Sequence, residues 1–187
     1  MCSSDLIGPG FADAQRAQIK AAVEQWNRKT VYRLRPRRAG DRDWVRFVTG
    51  AGCSSTVGRT GGMQRITLAP GCGTPQAIHE IGHAVGLWHE QSRADRDAHV
   101  VIRWENVLPG KEHNFQTYRE RRADGRDLGR YDVGSVMHYP SWAFSRNGEP
   151  TITRADGALI PMGTALSSGD IAGARLLLSA PPAPLLP

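Results

Sequence analysis

Two histidines separated by three residues, with a glutamate beside the first, are the most chemically suggestive cluster of this 187-residue chain: His79-Glu80-Ile81-Gly82-His83. On a helix, side chains at i and i+4 lie one above the other, with Cβ atoms about 5–6 Å apart, close enough to share a cation. Two imidazoles alone do not define a site, but the chain continues Ala84-Val85-Gly86-Leu87-Trp88-His89-Glu90. Gly86 stands where the helix must end, and glycine accepts the positive φ that turns the chain back. His89 then arrives as a third imidazole. Three neutral imidazoles on one Zn2+ leave a fourth position for water, the open arrangement of catalytic rather than structural zinc sites. Such a metal lowers the pKa of its water toward about 7 and polarises a carbonyl, while Glu80 is placed to take the proton as general base. That is the chemistry of peptide-bond hydrolysis. Because the imidazoles bind in their neutral form, protons compete with the metal at acid pH.

A helix over residues 75–85 has to present the first two imidazoles. Pro75 in its first turn and Gly86 at the left-handed C-terminal position bound it. An earlier amphipathic helix over residues 13–29 is predicted by the spacing of Ile19, Val23 and Trp26, with Asp13 as its N-cap. Between the two, the alternating runs 31–34, 44–48 and 64–69 read as strands of one sheet. Regular structure then thins out: a short strand at 100–102 and one further helix within 95–118, a charged loop over 119–130, and a last helix opened by Ser168-Gly169-Asp170. The peptidase domain is expected to span residues 7–180, with 181–187 a Pro-rich tail or the start of a linker. No signal peptide is visible, and residues 1–6 are expected to be non-native on a truncated N-terminus, since Met1-Cys2-Ser3-Ser4-Asp5-Leu6 back-translates into a common sequencing-adapter sequence.

The composition fits one globular domain, with 40% hydrophobic and 22% charged residues. No apolar run approaches the roughly 20 residues of a membrane-spanning helix. The net charge of +6 comes from 21 Arg and 3 Lys against 18 acidic residues, and it is dispersed. A dispersed charge reads first as solvated surface, and second as weak, salt-sensitive polyanion binding. With no zinc-finger spacing, aromatic RNA-binding motif or basic helix, no specific nucleic-acid partner is expected. The Arg-heavy composition suggests a GC-rich bacterial genome. Cys53 and Cys72 both sit in turn-like surroundings and read as a disulfide pair, free thiols being the alternative; a bond there would stabilise by about 3 kcal/mol and imply an oxidising compartment.

The pattern His-Glu-x-x-His-x-x-Gly-x-x-His resembles that of the metzincins, which also carry a methionine-containing turn, here matched by Ser135-Val136-Met137-His138-Tyr139. Glu90, directly after the third His, resembles the astacin subfamily, as do Gly52-Cys53-Ser54-Ser55-Thr56-Val57-Gly58-Arg59, Gln91-Ser92-Arg93-Ala94-Asp95-Arg96-Asp97 and Leu166-Ser167-Ser168-Gly169-Asp170-Ile171. The resemblance implies an α+β metzincin (zincin-like) catalytic domain with two lobes around an active-site cleft, the N-terminal lobe holding a twisted sheet and two helices and the C-terminal lobe largely irregular with one terminal helix. It implies His79, His83 and His89 as zinc ligands, Met137 as an apolar floor under the metal, and Tyr139 as an additional ligand that swings away to stabilise the oxyanion. Glu90 would anchor structure near the processed N-terminus, and a peptide substrate would pair with an edge strand, for which residues 64–69 are the candidate. A secreted, monomeric endopeptidase acting on protein or peptide substrates is the expectation. The second disulfide of many astacins is absent, Val31 occupying its first position, and no Arg in residues 157–166 supports an acidic cleavage preference. His99 and His113 are expected to be surface or structural, and His138 to support the site from behind the ligands. The competing class, a zinc-bearing binding module without turnover, would most simply have lost Glu80.

Overall fold

The computed structural model describes residues 6–179; residues 1–5 and 180–187, with Cys2, most of the expected non-native segment and the Pro-rich tail, lie outside the described residues. The chain divides into two compact units, one built from the residues up to Leu87 with Thr164–Leu166, the other from Trp88–Gly163 with the segment starting at Ser167.

The first unit contains α1 (Asp13–Lys29), β1 (Trp44–Thr49), β2 (Cys53–Ser55), β3 (Met63–Leu68) and α2 (Thr74–Val85). The strands form one sheet in the order β1-β3-β2, with β1 parallel and β2 antiparallel to β3. Side chains alternate between the two faces of a strand, so Phe47, Ile66 and Leu68 are fully buried while Met63 and Arg65 point outward. The buried face packs against α2, and α2 packs against α1. α1 contributes Ile19, Ala22 and Trp26, each fully buried. The Trp26 indole N–H donates to the Ile78 carbonyl of α2 at 3.0 Å, tying the two helices together, and the Gln15 amide donates to the Ala69 carbonyl just past β3 at 2.7 Å, tying α1 to the end of that strand. Cys53 and Cys72 form the disulfide, with Cα atoms 6.1 Å apart, tying β2 to the turn before α2.

Three expectations are corrected in this unit. Residues 64–69 are not an edge strand: β3 lies at the centre of the sheet, and the edge on its antiparallel side is β2, whose three short, mostly polar residues carry too little pattern to read as a strand. Residues 31–34 form no strand, because the Asn27 side chain takes both backbone groups of Leu34, accepting its N–H at 2.7 Å and donating to its carbonyl at 2.9 Å. Asp13 is the first helical residue rather than the N-cap, a position held by Ala12, and it complements the positive end of the helix dipole instead. Leu6 and Ile7 are buried, and the Phe47 N–H donates to the Leu6 carbonyl, so residues 6–8 run alongside β1.

The second unit has β4 (Val100–Ile102) paired antiparallel with β5 (Ile152–Arg154), a terminal helix α3 (Ser168–Ser179), and four short 3-10 turns. The further helix expected within 95–118 is replaced by three of those turns. Val100, Val107, Phe115, Ile152 and Ile160 form its apolar core. Much of the remaining order comes from buried guanidinium groups. Arg93, 4% exposed, donates to the carbonyls of Leu128, Gly129 and Arg130 and pairs with Glu90 and Asp95, which fixes the 119–130 loop that has no regular structure of its own. No described helix is long and apolar enough to cross a membrane.

Candidate metal centre

α2 ends as its sequence dictates. Gly86 takes the left-handed conformation at φ 113°, its N–H and that of Leu87 returning to the carbonyls of His83 and Gly82. At the other end, the Gln76 side chain accepts the Gly73 N–H at 2.9 Å and Pro75 occupies the first turn, where its missing N–H costs nothing. Between these ends His79 and His83 share one face, their rings edge to face with centroids 4.6 Å apart. His89 follows the turn, and one nitrogen from each of His79, His83 and His89 lies within 4.8 Å of the others, a spacing that suits one metal ion.

The tautomer of His83 is set by its surroundings. Its Nδ1 lies 2.8 Å from the Leu87 carbonyl, which can only accept, so Nδ1 carries the proton and Nε2 is left to bind. Burial, with His79 close by, pushes the His83 pKa down to about 3, against a smaller upward pull from Leu87. The ring is therefore neutral, as a ligand must be. Glu80, 5% exposed, has its pKa pushed up to about 8 by burial, and its Oε2 has no hydrogen-bond partner among the described residues. A buried carboxylate oxygen left without a partner is costly, and here it sits one residue from a cluster of imidazole nitrogens. The donor set and this unpartnered oxygen both fit a bound zinc ion with its water.

Within the second unit, further groups gather around His89. The Glu90 N–H, directly after His89, donates to the Met137 carbonyl at 3.0 Å, so the methionine turn is tied to the third imidazole through the backbone. Met137 is 1% exposed. The Tyr139 ring lies 4.6 Å from the His89 ring, centroid to centroid, with Phe115 and Phe144 packed on it. Glu90 Oε1 accepts the Asp132 N–H at 2.8 Å and pairs with Arg93; burial, outweighing these contacts, lifts its pKa to about 7. The structure thus brings Glu90, Met137 and Tyr139 to His89.

Of the other histidines, His138 is buried and locked, Nε2 against the Tyr131 hydroxyl at 2.8 Å and Nδ1 against the Tyr139 carbonyl at 2.7 Å. Desolvation holds its pKa down at about 4. His99 is exposed and stacks on Tyr131, and His113 is exposed.

Two supporting residues have no role in the sequence reading. Gln91 is fully buried and its Oε1 accepts the Tyr139 N–H at 3.1 Å, coupling the segment after the third imidazole to the tyrosine. Asp170, on α3, accepts from the Ser135 hydroxyl at 2.5 Å and from the N–H groups of Val136 and Ser167 at 3.0 and 2.9 Å, pinning the methionine turn from behind. Both stand within the motif stretches quoted above, but a motif match says nothing of which distant group a side chain reaches. Gly163 is required by close approach: a Cβ there would lie 2.7 Å from Val136 Cα and 2.8 Å from the Ser135 carbonyl.

The geometry agrees with the comparisons to known proteins. Residues 6–178 match the model of the astacin family (peptidase family M12A). The chain is similar to the zinc metalloproteinase nas-13 of Caenorhabditis elegans, 46% identical over 148 residues that make up 78% of this chain and 32% of that protein. It is also similar to human meprin A subunit beta, 42% identical over 136 residues, 72% of this chain and 19% of that one. Among solved structures it is similar to high choriolytic enzyme 1, a hatching enzyme zinc-protease from Oryzias latipes, with a TM-score of 0.82 and 34% identity over 94% of this chain and 88% of that one. These relatives come from animals and lend nothing to the bacterial origin suggested by composition. The chain spans about a third or less of the length of these curated relatives, 32% of nas-13 and 19% of meprin A subunit beta. A family match over residues 6–178, a shared fold and a three-imidazole cluster at the family motif agree: this chain belongs to the astacin family.

Proposed function

We propose that the chain is a zinc-dependent endopeptidase, with His79, His83 and His89 holding one Zn2+ and Glu80 acting as general base. The observation that carries this reading is the convergence of three imidazole nitrogens within 4.8 Å, with a buried carboxylate oxygen that has no partner among the described residues on Glu80, the residue next to His79 in the chain. When bound, zinc supplies Lewis acidity, lowering the pKa of a bound water toward about 7 and polarising the scissile carbonyl. Glu80 takes the proton of the attacking water and delivers it to the leaving amine. Its raised pKa belongs to the metal-free site, and a neighbouring cation lowers it toward the value a base needs. Tyr139, beside His89, offers its phenolic O–H to the carbonyl oxygen as negative charge builds there, and serves as a further metal ligand at rest. Met137 provides the apolar floor beneath the ligands.

The substrate is an extended protein or peptide segment that adds as a strand to the edge presented by β2, Cys53–Ser55. Two features support that edge. The disulfide holds it, and the Gly58 N–H just beyond it donates to the His83 carbonyl at 2.8 Å, keeping this stretch beside the helix that carries the metal ligands. Residues 157–166 contain no Arg, so no preference for acidic residues is proposed. The disulfide also supports action as a secreted protein outside the cell.

Cleavage of a quenched fluorescent protein substrate by wild type and by Glu80→Ala, each with bound zinc quantified, tests the reading. Cutting by wild type alone, with about one zinc on both proteins, is expected. Zinc on both with no cutting by either would sink it in favour of a binding module.

A further inference from the structure

The outer face of the first unit's sheet, opposite α2, carries charge that the metal chemistry does not use. Arg46 of β1 and Arg65 of β3 are direct partners in the parallel register. Neighbouring strands lie about 4.8 Å apart, and like charges directly opposite each other destabilise a sheet. Nothing among the described residues compensates this pair with a carboxylate. The nearest acidic residues in sequence are engaged elsewhere: Asp41 by Arg35 and the Arg38 N–H, Asp43 by Arg59 and the Gly62 N–H.

The patch extends in both directions. One residue pair earlier in the same register, Trp44 partners Met63, and the Arg37 guanidinium lies over the Trp44 ring at 3.7 Å from its centroid. Past the edge of β1, the Arg46 guanidinium lies beside Gly8, and Arg16 donates to the Gly8 carbonyl at 3.1 Å. Arg37 and Arg65 are exposed, and the Arg46 Nε is buried with no hydrogen-bond partner. Four guanidinium groups with no carboxylate partner among the described residues thus follow one another across α1, β1, β3 and the segment before β1.

We propose that this face binds a sulfated polysaccharide. Its contacts are charge and planar hydrogen-bond forks, which match the oxygens of sulfate esters. An open sheet face suits a flexible, highly charged chain that needs no pocket. The Cys53–Cys72 bond sits in the same sheet and places the face in an oxidising compartment, where sulfated glycans rather than nucleic acids are the abundant polyanions. Binding there leaves the metal-bearing helix on the other side of the sheet uncovered, so the polysaccharide localises the protein without blocking its chemistry.

Titration with heparin over a range of NaCl concentrations tests this on the wild-type protein. Replacing Arg37, Arg46 and Arg65 with Gln should weaken binding about tenfold or more and flatten the salt dependence by about two to three ion equivalents, as loss of individual anion contacts does. The triple change Arg119→Gln, Arg122→Gln and Arg126→Gln removes the same charge from exposed positions in the other unit and should shift affinity less than about twofold. Equal losses from both triples would overturn the proposal, because dispersed charge would then suffice. Duplex DNA binding as tightly as heparin at the same salt would also overturn it, in favour of a nucleic-acid partner. If the first triple does not fold, arginine-selective modification of wild type, read by mass spectrometry, decides: heparin should protect Arg37, Arg46 and Arg65 selectively, and even protection of all arginines would refute the patch.

Discussion

His79 and His83 are held in place by different physics from Met137 and Tyr139. The two histidines ride on α2, a helix stopped by Gly86 and fixed against α1 and the sheet by apolar packing and by the side-chain bond from Trp26 to Ile78. Met137 and Tyr139 lie in a stretch with almost no regular structure, positioned by single polar groups: Glu90 on Met137, Gln91 on Tyr139, Asp170 on Val136, Arg93 on the loop beyond. A packed helix spreads its stability over many weak contacts. A network of buried polar groups concentrates it, since each broken bond leaves partners desolvated and unpaired.

The sharpest way to break the contrast is Arg93→Met. This change strands Glu90, Asp95 and three carbonyls at once, and removal of one partner of a buried ion pair costs about 3–5 kcal/mol. Urea denaturation should report a loss of that order with activity falling in parallel; a loss below about 1 kcal/mol would mean that the second unit is held by packing after all. Gly86→Ala should cost less, about 1–2 kcal/mol, for forcing a Cβ into a left-handed residue. Because the strain falls at the turn leading to His89, zinc affinity measured by competition with a chelator should drop as well. Unchanged zinc affinity would show that the third imidazole is placed from the second unit alone.

The smallest effect is shared by both regions. His83 and His138 are held neutral by burial, with pKa values of about 3 and about 4, below the unfolded value of about 6.5. Between those values the unfolded chain binds more protons than the folded one, so stability is present near neutral pH and is lost as pH falls. In metal-free protein His138 should account for about 1 kcal/mol lost from pH 7 to pH 5.5, read as the difference in pH dependence between wild type and His138→Gln, since the raised carboxyls of Glu80 and Glu90 act in the opposite direction over the same interval in both proteins. Thermal melts of the two proteins with the same pH dependence would contradict it.

The same contrast explains what could be read from the sequence. α2 was legible because its determinants are local: Pro75 at the start, the i and i+4 histidines, Gly86 at the end. The third histidine was legible from its place just past the Gly86 turn, whereas the methionine turn was legible only through its resemblance to a family pattern. The roles of Arg93, Gln91 and Asp170 were not, since their partners lie 34 to 48 residues away in such bonds as Val136 to Asp170 and Tyr139 to Gln91. The misplaced edge strand has a related cause. Three residues of β2, Cys53, Ser54 and Ser55, are too short and too exposed to show alternation, and their pairing with β3 is a tertiary fact.

One local contact reaches into kinetics. Because the Leu87 carbonyl already holds the Nδ1 proton of His83, that imidazole has a single tautomer before any ion arrives. Metal capture there requires no prototropic rearrangement of the ring, and the ion's own exchange of water for nitrogen is left as the slow event at this ligand.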